Sequence, residues 1–590
     1  MTEPTSKFDN SFESVDPLAN YRNTCSQLLE SAVMEFKVKK VPQMEIPTSP
    51  ELADFAYPCF SLAKDLKLPP QKIAEMLLNK IGAVENLKIS AVKGYLNFKI
   101  NLKPLAGATI PLILKEKQEY GTFPNIGKRI ILEHTSANPN GPFHVGRARN
   151  PIIGDTLARL LRKVGYEVEV QYWVNDMGKQ AAILGWGVQN LSGDSLPAAG
   201  STKKDHELVR YYQSAYKKME EDPDVEGVIT RMIQSYERGD IDELNKLKKP
   251  CSDVLAGMVE SLERMNIFVD KFVWESESVL DGGVDEVIAK LKKSKITKEE
   301  EGAYYLDLEG YELGGKTSRF VFTRSDGTSL YTTRDLAYHW NKLQNCDIAI
   351  NILGEDHKLQ ARQLEIALKI MGMEHVPEVV FYSFVSLEEG KMSTRKGQVV
   401  YLDDLMEEAA ARARKEVETR RPELPDDKKS EIADVVGLGA IRYNLIRVQP
   451  EKKIVFKWMD ALNFEGNSAP FVQYSHARAC SILRKAEEML AGYSDYSTDL
   501  LDSPAEDELI RNLARLPSLI HECAHTRKPH PVAAYAYKTA ALFNQFYKDC
   551  PVLPAESDEL RASRLALVEA SRWALAVALD LIGINAPEQM

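Results

Sequence analysis

The clearest alternation of apolar and polar positions lies between residues 129 and 175. Ile130, Ile131 and Leu132 form a short apolar run. Ile152, Ile153, Leu157, Leu160, Leu161 and Val164 then recur at helical spacing up to Gly165, and Val168, Val170, Tyr172 and Val174 alternate as a strand does. The pattern predicts a strand, a loop, a helix and a second strand. Its loop ends at HVGR (144–147), where the helix opens, and the free N–H groups and dipole of a helix N-terminus favour anions. Far downstream the pattern returns: Ile348 to Leu353 as a strand, Lys358 to Met371 as a helix and Val379 to Val385 as a strand, with KMSTRKG (391–397) directly after it. Two such halves with a nucleotide at their switch point make a doubly wound sheet. HVGR alone would read as an ordinary turn between strand and helix; the second half, with its own basic loop, gives it weight.

Two further motif matches fail on context. Gly310 to Thr317 satisfies the phosphate-loop pattern, with Lys316 as its lysine, but that loop must open a helix. Here it leads instead into the β-rich run Arg319 to Thr323, which continues through Asp326-Gly327 to Leu330-Tyr331-Thr332 and predicts a hairpin. His521-Glu522-Cys523-Ala524-His525 satisfies the zinc-protease pattern on a predicted helix, yet Pro531 stands where the longer motif places a third ligand. No structural zinc and no other bound metal is expected.

A chain of 590 residues with 44% hydrophobic and 27% charged positions is long and apolar enough for several well-formed cores. No apolar run approaches the roughly 20 residues that cross a bilayer, and the polar start MTEPTSKFDNSFE lacks a secretory profile. Cys25, Cys59, Cys251, Cys346, Cys480, Cys523 and Cys550 are scattered without a Cys-x-x-Cys pair, so reduced thiols and a cytoplasmic location are expected, with no membrane partner. The net charge of −11 is a weak argument against an RNA partner, since a local basic surface suffices and splayed bases are also read by aromatic and polar side chains. From Gly466 onward, 12 Lys and Arg stand against 16 Asp and Glu, so a basic patch there must come from arrangement.

HVGR resembles the HIGH motif of class I aminoacyl-tRNA synthetases, and KMSTRKG resembles their KMSKS loop. The run EHTSANPNGPFHVG (133–146), SDGTSLYTTRDLAYHWNK (325–342), GEDHKLQARQL (354–364) and the ending LIGINAPEQM (581–590) together resemble the arginyl-tRNA synthetase family over nearly the whole chain. The resemblance implies an α/β fold: a doubly wound, Rossmann-type class I catalytic domain with an N-terminal α/β module and a C-terminal all-α anticodon-binding bundle. It implies an arginine–tRNA ligase that forms arginyl-adenylate from ATP and passes arginine to the 3′ end of its tRNA. ATP with Mg2+, L-arginine and arginine tRNA are the implied partners of a monomer.

Carried over residue by residue, Glu133 and Asn138 would engage the α-amino and carboxylate end of arginine, and Tyr331 and Asp335 the guanidinium, with His357 near a further, variable pocket position. A planar five-donor cation needs such carboxylates and acceptors. Asp335 also reads simply as a helix cap or surface ion pair. The ATP site would comprise Ala137, Asn138, Pro139, Asn140, Gly141, Pro142, Phe143, His144, Val145, Gly146 and Arg147, together with Lys391, Met392 and Ser393. His144 would donate to phosphate, Gly146 would let adenosine approach the backbone, and Lys391, Arg395 and Lys396 would neutralise pyrophosphate. The chain departs from the family twice, at Arg147 for the second histidine of HIGH and at Thr394 for the second lysine of KMSKS. Arginine can donate in the first place; in the second, Arg395 and Lys396 are the substitutes. These departures leave open a catalytically weak paralogue acting as an RNA-binding protein, whereas a cysteine-specific enzyme would need a zinc-binding cysteine cluster that this chain lacks.

Four regions are expected. Residues 1–118 form the N-terminal α/β module, ending in an alternating strand from Val92 to Phe98, where Tyr95 and Asn97 match positions that touch the tRNA D-loop, or belong to a plain strand. Residues 119–400 hold the catalytic fold, with an insertion at about 180–300 whose charge runs, SGDSLPAAGSTKKD (192–205) and LKKSKITKEEEG (291–302), read as solvated loops and helix faces. Residues 401–465 form a helical connection with helices at Glu407 to Glu418 and Ile432 to Ile446. Residues 466–590 form the helical bundle, in which the spacing of Tyr535, Tyr537, Phe543, Phe546 and Tyr547 predicts core positions. There the resemblance implies tRNA contacts at Tyr474, Arg478, Tyr537 and Met590.

Overall fold

Alternating apolar positions in the N-terminal part build an antiparallel sheet of β1 (Phe55–Pro58), β2 (Leu87–Val92) and β3 (Tyr95–Ile100), ordered β1-β3-β2. The single strand expected from Val92 to Phe98 is instead a hairpin. Lys93 and Gly94 take φ of 49° and 83°, so the chain reverses between β2 and β3 in the doubly left-handed geometry that suits a two-residue turn. The computed structural model describes residues 14–34, 36, 44–47, 52–313, 318–388, 400–489 and 495–590. The loop carrying Lys391, Met392, Ser393, Thr394, Arg395 and Lys396 lies outside the described residues, as does Lys316 of the phosphate-loop match.

The first half of the doubly wound sheet matches the predicted pattern: β4 (Arg129–Glu133), the helix Arg149–Lys163 and β5 (Glu167–Val174), with β6 (Lys271–Trp274) added beside β5. Between β5 and β6 the insertion is helical, and it encloses a core of its own around Ile183, Trp186, Ala215, Ile229 and Leu247. Its charge runs are not all solvated: Asp205 is completely buried. A small antiparallel sheet, β7 (Thr297–Glu300), β8 (Ala303–Asp307) and β9 (Arg319–Val321), comes next. The hairpin predicted beyond it is shorter than expected. Thr323 and Ser329 still face each other across the Asp326-Gly327 turn, but Tyr331 and Thr332 open the helix Tyr331–Gln344. Threonine hydroxyls at 332 and 333 donate to the carbonyls of Val321 and Phe322, which ties the first helical turn to β9.

The second half adds β10 (Ile348–Gly354), the helix Lys358–Ile370 and β11 (Glu378–Tyr382), giving a five-stranded parallel sheet ordered β11-β10-β4-β5-β6. The switch point falls between β10 and β4. The strand expected from Val379 to Val385 is broken into β11 and β12 (Val385–Leu387), because the Ser383 N–H and hydroxyl turn aside to the carbonyls of Pro450 and Glu451. β12 then pairs in parallel with β13 (Ile454–Phe456) in a separate ribbon.

Among the described residues beyond Tyr401 the elements are helical but for β13, including Leu402–Arg420, Asp426–Ile446, Ala469–Glu488, Pro504–Ala514, Leu516–Thr526, His530–Asp549 and Asp558–Leu581. Ser503 and Glu506 cap one of these reciprocally, each accepting from the other's backbone N–H. Tyr535, Phe543 and Phe546 are core residues as expected and Tyr537 is half-buried, but Tyr547 is exposed. One continuous apolar core runs from the N-terminal sheet through the parallel sheet into these helices. No described helix is long and apolar enough to cross a membrane, and all seven cysteines are free.

Candidate active site

The parallel strands β4 and β10 end at a cleft of about 320 Å³, where a doubly wound sheet places its ligands. Register sets Asn351 of β10 beside Glu133 of β4. Between them the buried Lys342 ammonium donates to Glu133 Oε2 at 3.0 Å and to Asn351 Oδ1 at 2.6 Å. Burial pushes the Glu133 carboxyl up, but Lys342, His339 and the hydrogen bonds from Lys342 and Ser136 bring it below its ordinary value, so it is an anion at neutral pH. The Asn351 amide donates to His339 Nε2 at 2.7 Å, which leaves the His339 Nδ1 proton for the Asp335 carbonyl at 2.9 Å, beside its carboxylate at 3.2 Å. One chain of polar contacts thus joins Glu133 to Asp335.

After β4 the chain must turn sharply upward. Thr135 and Ser136 take φ of 71° and 39°, a strained geometry for residues with a Cβ. It is held by the Asn150 side-chain carbonyl accepting from Thr135 N–H at 2.6 Å, and by Ser136 Oγ, which donates to Glu133 at 3.0 Å and accepts from Trp173 N–H at 3.1 Å. Asn138 then lines the cleft, its amide on Gln180 at 2.7 Å.

His144 is exposed, and its Nδ1 accepts from Gly146 N–H at 2.9 Å. The ring proton must therefore sit on Nε2, which points a donor outward. A Cβ on Gly146 would lie 2.9 Å from that Nδ1, so glycine is what allows the ring to fold over its own backbone. Partial desolvation by the packed loop around it, and secondarily Arg147, hold the imidazole below its ordinary pKa, keeping it neutral. Behind the motif, the fully buried Arg149 donates to six carbonyls, those of Ser383, Leu445, Val448, Gln449, Pro450 and Lys452. Burial lowers its pKa to about 10, and it remains a cation.

The cleft brings together Glu133, Asn138, Arg147, Tyr331, Asp335 and His357. Tyr331 and His357 are exposed, and His357 has Asp356 at 3.7 Å. Ala137, Pro139, Asn140, Gly141, Pro142, Phe143, His144, Val145 and Gly146 form the loop at its rim and do not line it. Glu275, one residue past β6, also lines the cleft and was not anticipated. Its Oε1 accepts from Arg334, while Oε2 is buried with no partner. Burial outweighs Arg334 and pushes its carboxyl up to about 7. An acid directly after the short run Phe272-Val273-Trp274 was the available signal, but that strand is too brief to stand out. Asn351 was also missed, although a polar residue inside the apolar run of β10 marks the spot.

Among the other candidates, Tyr95 is half-buried with its ring edge-on to exposed Phe60 at 5.3 Å, whereas Asn97 is buried. Arg478 lies over the exposed Tyr474 and Tyr547 rings at 4.8 and 5.9 Å. Tyr537 sits against Phe471 at 5.4 Å, and the Met590 carbonyl accepts from Arg421 at 2.6 Å. His521 and His525 share a helix face with rings parallel 6.3 Å apart, and burial pushes His521 down to about 4. Among the described residues, no group of three metal-ligating side chains includes either one. Metal analysis of the purified protein is expected to find no stoichiometric zinc, and Lys316→Ala to keep most activity. One zinc per chain, lost on His525→Ala, would contradict this.

Family models agree with the geometry. One described as tRNA synthetases class I (R), catalytic domain, matches residues 109–458; a DALR anticodon binding domain matches 472–590, and an arginyl tRNA synthetase N terminal domain matches 20–100. Sheet, cleft and first match define a class I aminoacyl-tRNA synthetase. The chain is 48% identical to an arginine–tRNA ligase of Methanocella arvoryzae, over 90% of this chain and 92% of that one, and 43% identical to that of Methanothermobacter thermautotrophicus, over 95% and 98%. Its structure resembles the arginyl-tRNA synthetase of Thermus thermophilus with a TM-score of 0.81 at 30% identity, covering 96% of this chain and all of the other. Within its class, therefore, the chain belongs to the arginyl-tRNA synthetase family.

Proposed function

We propose that the cleft between β4 and β10 is where this arginine–tRNA ligase brings arginine and ATP together. The observation that carries the placement is the set of four acidic side chains lining one cleft, Glu133, Asp335, Asp356 and Glu275, the last with a buried oxygen lacking any partner. A substrate with an ammonium at one end and a guanidinium at the other matches that arrangement. Glu133 takes the α-amino group and Asn138 the carboxylate end. Tyr331, Asp335 and the free Oε2 of Glu275 enclose the guanidinium, with His357 at the rim.

The arginine carboxylate attacks the α-phosphorus of ATP, the bond to the bridging oxygen breaks, and pyrophosphate departs with Mg2+, which arrives as part of the substrate complex. Catalysis is positioning and charge stabilisation. The outward Nε2–H of His144 donates to phosphate, and Arg147 adds a second donor from the cleft edge. Lys391, Arg395 and Lys396 receive pyrophosphate, with Met392 and Ser393 beside the nucleotide. Arginine then passes to the 3′-terminal adenosine. The anticodon end of the tRNA meets the surface of Tyr474 and Arg478, together with Tyr537 and Met590, while Tyr95 and Asn97 meet the elbow. The domains are 1–118, 119–400, 401–465 and 466–590, in a cytoplasmic monomer without zinc.

ATP–pyrophosphate exchange with each of the twenty amino acids, with and without total tRNA, tests this reading. Exchange is expected with arginine alone, and near background until arginine tRNA is present, since binding energy from a remote ligand then assembles the site. Robust exchange without RNA would remove the coupling while leaving arginine as the substrate.

A further inference from the structure

The insertion helix Lys204–Glu221 touches both chain segments that frame the ATP-facing motif. Residues 143–145 are held by backbone pairing: Val145 N–H donates to the Val400 carbonyl at 3.1 Å, Leu402 N–H donates to the Phe143 carbonyl at 2.8 Å, and His144 faces Tyr401. On one side, the Tyr212 hydroxyl lies beside the Asn140 side chain, and Val209 packs so closely on Gly141 that a Cβ there would stand 2.6 Å from its methyl carbon. On the other side lies Asp403, the second residue of the helix Leu402–Arg420. Its carboxylate accepts from Lys203 Nζ at 2.9 Å, His206 Nε2 at 2.8 Å and Ser261 Oγ at 2.8 Å, all from the insertion. The His206 ring also meets Tyr401 edge-on at 5.3 Å.

We infer that Asp403, gripped by Lys203, His206 and Ser261, is a positioning residue that fixes the strand pairing of Phe143–Val145 and so aims His144 at ATP. The inference rests on the ATP site proposed above. Asp205, His206 and Asp403 lie close enough to suggest a metal site, but the Lys203 ammonium already stands 2.9 Å from Asp403 and 3.5 Å from Asp205, where a metal ion would have to sit. The cluster is a latch with its own cation. Burial pushes the Asp403 carboxyl up, yet the hydrogen bonds from His206, Lys203 and Ser261 bring it down to about 2, so it is charged throughout the working pH range. Two segments about 200 residues apart in sequence are joined by a group that touches no substrate, and the pairing it anchors carries the phosphate donor.

The test is Asp403→Asn, which keeps the shape and removes the charge, with Asp403→Glu as the conservative variant, in full-length protein supplied with arginine tRNA. Exchange kinetics should show kcat/KM for ATP lowered about ten- to hundredfold, the scale of a misplacement by about 1 Å, while KM for arginine stays within about twofold. Asp403→Glu should recover part of the loss, which a purely structural defect would not separate between substrates. Should Asp403→Asn fail to fold, Tyr212→Phe removes one hydroxyl from the same helix and should give the same split in smaller measure. Unchanged ATP kinetics, or equal loss for both substrates, would overturn the inference. His144→Ala run alongside separates the two readings: activity lost there but kept in Asp403→Asn overturns the positioning role alone, and activity kept in His144→Ala overturns the ATP assignment with it.

Discussion

Alanine at His144 or at Lys391 is expected to slow adenylate formation by roughly 10²–10³-fold in single-turnover measurements, with arginine affinity nearly unchanged. That is the scale of losing one preorganised donor to developing charge, about 3–4 kcal/mol. For His144 the preorganisation is explicit: Gly146 N–H occupies Nδ1, so the tautomer and the ring orientation are set before ATP arrives. His144→Asn, which still offers an N–H donor, should recover part of the rate. A large loss of arginine affinity with an intact single-turnover rate would place His144 in the wrong half of the site.

Asp335→Ala should raise KM for arginine about ten- to hundredfold, corresponding to the roughly 1.5–3 kcal/mol of a hydrogen bond to a charged group. The rate at saturating arginine should change little. Glu275 adds a pH signature. Its carboxyl, raised by burial to about 7, is ionised above that pH and neutral below it. A guanidinium binds the ionised form, so KM for arginine should rise as pH falls, by roughly fivefold from pH 7 to pH 6 for a single group titrating there. Glu275→Gln should raise KM at pH 8 and flatten that dependence. A profile unaltered by the substitution would assign the titration to another group.

Much of this architecture was legible from periodicity, and the family from motifs, but for different physical reasons. The β4-helix-β5 unit could be read because the apolar run of β4, the helical recurrence from Ile152 to Val164 and the apolar–polar alternation of β5 are all written in the sequence. β11 and β12 looked like one strand because Ser383 is locally unremarkable; only carbonyls near residue 450, far away in sequence, show why the pairing stops there. Tyr331 was read as strand because the turn before it is a good hairpin turn, and the helix wins through its ties to β9. In the site, Glu133, Asn138, Tyr331 and Asp335 could be named from motif matches. Lys342, His339 and Glu275 could not, since their roles depend on which strands lie side by side. The insertion was misread for a similar reason: Lys203 and Asp205 look like solvated charges until Asp403 is seen opposite them.

The carbonyl cage around Arg149 bears on the order in which the chain can mature during synthesis. Arg149 lies in the first turn of the helix that HVGR opens, and its partners lie 234 to 303 residues downstream. Until Lys452 has left the ribosome, the cage that takes this guanidinium into the interior is incomplete, its donors stay with water, and the turn bearing the proposed phosphate donor lacks its final support. The parallel sheet can begin to collapse earlier, but the nucleotide site is completed late, by contacts of long sequence separation that form slowly. A ribosome stalled before that point would hold a nascent chain with its sheet in place and the proposed ATP site unfinished.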